Sequence, residues 1–253
     1  MRQEIHFNFN GQWSYDMGII KASVQDGLFE DLLVASKSIV EEKIDGRDKP
    51  YFYGVEREPL SFPLPIYFKD DLTVDKVREI LRWLDTDTYS PFYMIDKPER
   101  IWYAMVIDDV SAIHNGIKEG YMELTMRTSD VRTYTPFTMS ELHTFGNNTG
   151  GEIIEFENNG DFDCEPIVHI KKFGNGNITI QNLSKYTGDF TFSNLNDQEQ
   201  LIVDCGNKDI ESDSLILRYD DFSDNYLTFV RGVNRLKVIG NCEIRFETQF
   251  KTF

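Results

Sequence analysis

The chain has 253 residues and carries 26 Lys and Arg against 43 Asp and Glu, so its formal net charge is −17. Its length predicts one large domain or two modest ones, and its 40% of hydrophobic residues exclude a wholly disordered chain. The acidic balance excludes a protein whose main task is to grip nucleic-acid phosphates, because that task needs clustered Lys and Arg. It leaves open a protein that nucleic acid slides past without binding.

Residues 1–7 contain no apolar run of the kind found in secretory signals, and no apolar stretch reaches the ~18 residues of a membrane-spanning helix. Three cysteines, Cys164, Cys205 and Cys242, form no CxxC pair. An odd, sparse set of this kind predicts buried, reduced thiols in a protein made in a reducing compartment. Neither a disulfide framework nor a membrane partner is expected.

The chain begins with short elements. Enrichment in β-branched residues predicts a strand at residues 19–24, and a weaker helical pattern follows at 25–33. Residues 41–50, EEKIDGRDKP, are dense in charge and contain glycine and proline. This composition predicts a long exposed loop.

Three further strands are predicted at residues 60–68, 102–107 and 121–127, from partial period-two alternation of apolar side chains. Pro63 and Pro65 fall inside the first of them. Because proline has no N–H to donate to a neighbouring strand, this strand should lie at a sheet edge or begin with a bend.

Residues 73–86 predict the one long helix. Their apolar side chains recur at helical spacing and form one stripe: Val74, Val77, Ile80, Leu81, Trp83 and Leu84. Thr73 precedes the stripe as the expected N-cap. A wide stripe that ends in tryptophan predicts a helix that lies on a sheet.

Composition changes near residue 133. All three tryptophans and the helix lie before this point, and clusters of Gly and Asn recur after it. Short strands separated by regular turns predict a β-sandwich or jelly roll. We therefore predict a mainly β protein with an N-terminal domain at 1–133 and a C-terminal domain at 134–253.

Two elements of the C-terminal half are predicted individually. Residues 167–171 lead through Gly174-Asn175-Gly176 into residues 177–181, which predicts a β-hairpin, because glycine and asparagine supply the positive φ angles of a tight turn. The last predicted strand, residues 243–250, could pair within either domain.

The sequence contains no P-loop, no dinucleotide-binding glycine pattern, no GxSxG and no HExxH. Cys164 and His169 are the nearest Cys/His pair, and their spacing does not match a zinc site. Residues 204–213 are rich in Asp and Asn but lack the glycine placement of an EF-hand loop. None of these motifs therefore predicts a metal site or a cofactor.

Asp161, Asp163 and Glu165 alternate, so in a strand their carboxylates would share one face. Three interpretations stay open. The carboxylates could bind calcium, they could form the acid pair of a glycoside hydrolase, or they could belong to a solvated sheet face in an acidic chain.

Several segments follow one another in a recognisable order along nearly the whole chain. The N-terminal half contains FNFNGQWSYDMGI, then VEEKIDGRDKPYFYGVEREPLSF, then the helix that ends in RWL. The C-terminal half contains FENNGDFDCEPIVHI, GNGNITIQNL, TGDF, LIVDCGNKDI and FVRGVNRLKVIG, and then IRFETQF. This order resembles the distal tail proteins (Dit) of long-tailed, non-contractile phages, in the form expected of a Bacillus-infecting siphophage.

The resemblance implies a tail-tube-like N-terminal domain, a β-sandwich with one α-helix and a hairpin, of which six copies close into a ring. It implies a galectin-like or jelly-roll C-terminal β-sandwich outside the ring. The implied function is that of a structural hub at the distal end of the virion tail, assembled in the host cytoplasm, which leaves a channel for DNA. The implied partners are further copies of the chain, the tail tube protein, a tail tip or fibre protein and the tape measure protein. No enzymatic activity and no cofactor are implied.

A closed ring needs one surface that meets a different surface on its neighbour. The N-terminal half offers six aromatic candidates, each of which could instead belong to the domain core: Phe7, Phe9, Trp13, Tyr51, Phe52 and Tyr53. Six copies would carry six times −17, or −102, formal charges, and a bore lined by acids would repel DNA rather than bind it. The first candidates to line it lie in the charged loop: Glu41, Glu42, Asp45 and Asp48.

The alternative to a hub is a carbohydrate-binding module that acts in host attachment. Sugar sites usually stack an aromatic ring on the apolar face of a pyranose. The C-terminal half has no tryptophan, and its candidate rings are Tyr134, Tyr186, Tyr219 and Tyr226.

Overall fold

The computed structural model describes five stretches of the chain: residues 5–22, 36–69, 73–107, 111–114 and 120–253. The chain forms two compact units, residues 1–134 together with Phe253, and residues 135–252. The protein is mainly β with one α-helix, which confirms the predicted fold class. No helix in the described stretches is long and apolar enough to cross a bilayer. The helical pattern predicted at 25–33 lies outside the described residues.

The described elements of the first unit are β1 (Phe7–Phe9), β2 (Gln12–Trp13), β3 (Ile19–Lys21), β4 (Lys37–Glu42), β5 (Tyr51–Arg57), β6 (Ser61–Phe68), α1 (Val74–Leu84), β7 (Ser90–Met94), β8 (Lys97–Val106), β9 (Ser111–His114), β10 (Gly120–Thr128) and β11 (Thr133–Tyr134). One sheet runs in the order β2-β1-β7-β8-β10-β6-β3, with β9 beside β10 and β11 beside β8. Strands β4 and β5 form a separate two-stranded sheet. The predicted strands at 60–68, 102–107 and 121–127 correspond to β6, β8 and β10.

The main sheet of the first unit curls until its two ends meet. Lys21 on β3 bridges Ile5, and the Lys21 N–H donates to the Ile5 carbonyl at 3.0 Å. Because the sheet curls, the inward side chains of its strands share one core, which includes Phe7, Phe9, Ile19, Leu64, Ile66, Phe92 and Leu124.

Helix α1 covers one side of this core, as the apolar stripe predicts. Thr73 is its N-cap, and the Thr73 hydroxyl oxygen accepts a backbone hydrogen bond from the first turn at 3.2 Å. Ile80 is fully buried, and Trp83 stacks on Phe7 with 5.8 Å between the ring centroids. The Trp83 indole N–H donates to the carbonyl oxygen of Phe9 at 2.9 Å, which fixes the helix to β1.

The prediction of a sheet edge holds for only part of the strand with two prolines: β6 pairs with β10 along most of its length but with β3 only at Ile66–Phe68, so at Pro63 it has one partner strand among the described residues. The carbonyl of Pro65 accepts from the Ala22 N–H at 2.8 Å, so Pro65 turns its backbone polar groups away from β10. Pro63, two residues earlier, points the same way. Neither missing N–H therefore removes a hydrogen bond between β6 and β10.

The second unit is a β-sandwich, and its elements are β12 (Thr138–Met139), β13 (His143–Phe145), β14 (Glu152–Asn158), β15 (Ile167–Lys172), β16 (Gly176–Asn182), β17 (Phe190–Leu195), β18 (Gln200–Asp204), β19 (Asp209–Ser212), a 3₁₀ helix (Tyr219–Asp221), β20 (Gly232–Ile239), β21 (Cys242–Thr248) and β22 (Lys251–Thr252). One sheet has the order β12-β21-β15-β18-β19, with β13 beside β21, and the other has the order β14-β20-β16-β17. Buried side chains from both sheets share one core. The late strand β21 therefore belongs to this unit.

The hairpin predicted at residues 167–181 is wrong. Strand β15 pairs with β18 and β21, whereas β16 pairs with β17 and β20 in the opposite sheet. Gly174 and Gly176 do have the expected positive φ angles, +66° and +130°. The turn reverses the chain but carries it across the sandwich, so that Ile170 and Ile178 enter the core from opposite sides.

The three cysteines are buried and form no disulfide, as predicted: Cys164, Cys205 and Cys242. Burial disfavours the charged thiolate and raises the pKa of each thiol to about 12. A thiol held in this way is a small apolar side chain rather than a nucleophile.

One ion pair lies inside the second unit. Glu199 and Arg218 have side chains that are 2% and 3% exposed, and Arg218 Nη2 donates to Glu199 Oε2 at 2.6 Å. Burial by itself raises the pKa of Glu199, but hydrogen bonds from Arg218 and other groups outweigh it and lower that pKa to about 2. Arg218 Nη1 also donates to Asp221 at 2.7 Å. The carboxylate is thus charged and fully partnered at neutral pH.

We expect the native chain to show no reaction of its three thiols with a disulfide reagent at pH 8, because each thiol is buried and protonated. After unfolding in guanidinium, all three should react. Burial raises the thiol pKa values in the folded state, so the protonated thiols favour the folded chain fully below pH ~8.5. As the pH rises further, the thiols of the unfolded chain ionise first and the free energy of unfolding falls. Fast reaction of any thiol in the native state would contradict the burial.

We expect Arg218→Met to lower the free energy of unfolding by about 3–5 kcal/mol at pH 7, because it leaves the buried Glu199 carboxylate without its cation. Lys185→Met is the control: it breaks an exposed pair with Asp163 and should cost at most about 1 kcal/mol. Because the pKa of Glu199 is lowered in the folded state, the difference between wild type and Arg218→Met should shrink as the pH falls from about 4.5 toward about 2. Urea unfolding measures both variants, and equal losses would contradict the prediction.

Candidate functional site

The β4–β5 hairpin is an isolated two-stranded sheet with no residue in the core of the first unit. Glu41 and Glu42, predicted to lie in a loop, are the last residues of β4, so the connecting loop is residues 43–50. The prediction of an exposed segment holds for the loop, but its start was placed two residues too early. Charged residues do not prevent a strand when a partner strand supplies the backbone hydrogen bonds.

The two faces of the hairpin differ. Ile39 lies opposite Val55, and Glu41 lies opposite Phe52, so these four side chains share one face. Ile39 is 62% exposed, Val55 46% and Phe52 64%. Lys37 and Arg57 bound this face at one end and Glu41 lies at the other, and we call it the apolar face after its three exposed apolar side chains, Ile39, Phe52 and Val55.

The opposite face is polar. Glu42 lies opposite Tyr51, and a β-bulge between Val40 and Glu41 leaves Tyr53 unpaired in the ladder. The Tyr53 hydroxyl donates to Glu42 Oε2 at 2.8 Å, and this bond raises the tyrosine pKa. The guanidinium of Arg47 lies 4.3 Å above the Tyr51 ring.

The predicted acidic residues are all exposed: Glu41, Glu42, Asp45 and Asp48. Lys43, Arg47 and Lys49 stand between them, so residues 41–50 have a net charge of only −1. The electrostatic field on each side of residues 41–50 therefore depends on which charged side chains point to that side, rather than on the net charge of the segment.

Two of the six predicted interface residues belong to the core. Phe7 and Phe9 are fully buried in the first unit, so they have no surface to offer a neighbour, and their assignment to an interface is wrong. They are aromatic because β1 packs against helix α1. Trp13 is half-buried on β2, where it stacks on Tyr15 with 5.5 Å between ring centroids. Tyr51, Phe52 and Tyr53 lie on the hairpin and are exposed.

Asp161, Asp163 and Glu165 do not form a shared carboxylate site. Only the residue between the last two, Cys164, makes a bridge, so the three do not alternate along a strand. Each carboxylate has its own cation in the described structure: Arg231, Lys185 and Lys251, respectively. Neutralisation by separate cations gives a solvated, ion-paired surface rather than an acid–base pair.

Metal-ligating groups are also dispersed. His169 Nε2 lies 2.9 Å from Glu247 Oε2, while Cys164 is buried in the core of the second unit. Among the described residues, no three His, Cys, Asp or Glu side chains are grouped so that they could hold a metal ion.

Two of the tyrosines predicted for a sugar site, Tyr219 and Tyr226, are anchored to the adjacent residues Asp209 and Lys208. The Tyr219 hydroxyl donates to Asp209 at 2.8 Å and the Tyr226 hydroxyl to the Lys208 carbonyl at 3.2 Å, whereas Tyr134 belongs to the first unit. Tyr186 is exposed, and a side-chain hydrogen bond with Asp189 raises the pKa of its hydroxyl.

A groove of about 680 Å³ lies on the outer face of the sheet that contains β15 and β18. Charged and aliphatic side chains line it, among them Leu142, His169, Lys171, Ile202, Glu211 and Arg245. No Trp, Tyr or Phe lines the groove, so it lacks the flat ring on which a pyranose usually stacks.

Sequence reasoning missed Ile39 and Val55, which complete the apolar face of the hairpin. Ile39 lies in KSIVEE and Val55 in GVER, and neither segment has a long apolar run that would draw attention to it. The available signal was the pairing of two short alternating segments around a charged turn, which brings isolated apolar residues together.

Two family models match the chain. One, described as a phage tail protein N-terminal domain, matches residues 2–130, and the other, described as a phage tail C-terminal domain, matches residues 134–248. The SPbeta prophage-derived protein YomH of Bacillus subtilis strain 168 is 32% identical over 252 residues, which is 99% of each chain.

Solved structures share the fold of the whole chain. The Dit protein of phage SPP1, described as a paradigm of the hub adsorption apparatus of phages that infect Gram-positive bacteria, matches with a TM-score of 0.70 and 16% identity over 98% of this chain and 100% of that chain. A chain of the phage P2 baseplate, in its activated conformation with calcium, matches with a TM-score of 0.62 and 7% identity over 98% of both chains. At these identities the likeness is one of fold.

Proposed function

The chain belongs to the family of phage tail proteins, and from that premise we propose that it is the structural hub of a long, non-contractile tail. Six copies close into a ring that joins the tail tube to the tip and leaves a channel for DNA. The observation that carries the proposal is the apolar face of the β4–β5 hairpin. A neighbouring copy that covers this face removes its three exposed apolar side chains from water.

The hairpin suits a ring because it is a separate sheet that contributes no residue to the core of its own unit. A two-stranded sheet is marginally stable by itself in water, and packing against another surface stabilises it. A heterologous contact of this kind, in which the hairpin of one copy meets a different surface of the next, closes into a ring when the rotation between copies allows it. Trp13 and its stacked partner Tyr15 offer a half-exposed aromatic surface for the receiving side.

The polar face then turns toward the bore. On it lies Glu42, and the loop beyond it carries Asp45 and Asp48, while Glu41 lies at the rim of the apolar face. With −17 formal charges on every copy, the ring as a whole repels DNA, so that DNA passes without being specifically bound.

The remaining parts of the proposal follow from the hub role. The protein acts without catalysis and without a cofactor, at the distal end of the virion tail, after assembly in the host cytoplasm. Its partners are further copies of itself, the tail tube protein, a tail tip or fibre protein and the tape measure protein. The N-terminal domain predicted at residues 1–133 forms the ring, and the C-terminal domain predicted at residues 134–253 lies outside it.

We expect the double variant Phe52→Ser and Val55→Ser to lose ring formation while its first unit stays folded, because these side chains lie outside the core. Burial of each large apolar side chain contributes about 1.5–3 kcal/mol per contact, so the loss should exceed tenfold in assembly. Negative-stain microscopy at high concentration, with tail proteins present to nucleate assembly, counts six-fold rings.

Tyr51→Ser is the matched control, because it removes an exposed aromatic ring from the opposite face of the same hairpin. It should assemble like the wild type. Rings of normal abundance in the double variant, or rings without six-fold symmetry, would contradict the proposal.

We expect reversal of Glu42, Asp45 and Asp48 to Lys to slow DNA ejection, because three cations facing the bore would hold the phosphates. Reversal of Glu152, Glu155 and Glu157 to Lys on β14 is the control, since it changes the net charge equally on the second unit. Dye release from particles that contain each variant measures the rate of DNA ejection, at low and high salt. Equal rates in the two variants would show that these acids do not face the bore.

A further inference from the structure

Residues 215–217 form a loop that exposes three consecutive aliphatic side chains. Leu215 is fully exposed, Leu217 is 82% exposed and Ile216 is 50% exposed. Single exposed aliphatic residues are ordinary on protein surfaces. Three neighbours in one loop instead form an apolar patch of the kind that marks a docking site.

The loop is fixed at both ends by one buried carboxylate. On its N-terminal side, the hydroxyls of Ser212 and Ser214 donate to Glu199 Oε1 at 2.8 and 3.1 Å. On its C-terminal side, Arg218 donates to both oxygens of Glu199, at 2.8 and 2.6 Å. The chain therefore leaves and re-enters the sandwich at a single charged anchor.

This anchoring has a consequence for binding. A loop whose ends are held by a buried ion pair loses little conformational entropy when a partner covers it. Asp213 adds to the rigidity, since its N–H donates to the Gln200 carbonyl and its side chain accepts from the Gln200 N–H. The three aliphatic side chains are thus presented by a preorganised support.

The charges around the patch indicate what covers it. Residues 209–224 contain six Asp and Glu and a single cation, Arg218, which is buried against Glu199. Glu211, Asp213 and Asp220 are exposed in this segment, and the first two line the groove that also contains Lys171 and Arg245. A partner that buries the aliphatic side chains therefore needs Lys or Arg around its apolar surface. A second copy of the chain, at −17, and an anionic lipid surface are both disfavoured by like charge.

We propose that residues 215–217 are a docking loop for a different protein, which supplies an apolar groove rimmed by Lys and Arg. If the chain is the hub of the tail, as proposed above, this partner is another component of the tail. The docking loop lies in the second unit and the β4–β5 hairpin in the first, so the two contacts are separable by substitution.

The test is photo-crosslinking in virions. Particles are assembled with benzoylphenylalanine in place of Leu215, of Leu183 on the same unit, or of Phe52 on the apolar face of the hairpin. Leu183 is the matched control, an exposed leucine without exposed apolar neighbours in sequence. We expect position 215 to yield an adduct with a different protein, in a segment that contains Lys or Arg, and position 183 to yield none.

A second variant tests the charge argument without disturbing the anchor. Glu211→Lys together with Asp220→Lys should lower the yield at position 215 about tenfold, whereas reversal of Glu152 and Glu155 on β14 should leave it unchanged. An adduct between two copies, an unchanged yield in the first reversal, or no protein adduct at 215 would overturn the proposed docking loop. Absence of the chain from virions, or no adduct between copies at position 52, would instead count against the hub.

Discussion

A β-sheet in water needs a second apolar layer, because every strand sends alternate side chains to one face. The second unit supplies that layer with a second sheet, and the first unit does so with helix α1 and the curl of its own sheet. The β4–β5 hairpin has two strands and shows Ile39, Phe52 and Val55 to solvent. Among the described sheets, it is the one that contributes no residue to either core, and the hub proposal starts from that observation.

Much of the fold follows from local signals in the sequence. Period-two alternation places β6, β8 and β10, and the apolar stripe with its Thr73 cap places helix α1. The path of the chain through residues 167–181 did not follow from these local signals. Positive φ at Gly174 and Gly176 determines that the chain turns, but the same turn serves a hairpin or a crossing between sheets. The choice depends on which strands cover the core, and that is settled by contacts between residues far apart in sequence.

The candidate site was predictable only in part, for a related reason. An aromatic residue in the sequence predicts a buried side chain, but it does not show which residues that side chain packs against. Phe7 and Phe52 look alike in sequence, yet Phe7 meets Trp83, 76 residues further along, whereas Phe52 pairs with a strand that carries Glu41 and Glu42. Whether an aromatic side chain completes its own core or a neighbour's is therefore decided by the residues across the sheet rather than by its own segment.

The two exposed apolar surfaces differ in how they are supported, and this difference assigns them different tasks. The hairpin is held by its own ladder and a bulge, and in the proposed ring a neighbouring copy covers it, which couples its stability to assembly. The loop at residues 215–217 is held by the buried Glu199–Arg218 pair, which exists in the lone chain. A contact that forms only together with its neighbours favours an all-or-none ring, because a half-built ring leaves hairpins uncovered. A contact that is already shaped can be made by each copy independently, which suits the attachment of separate components around a finished ring.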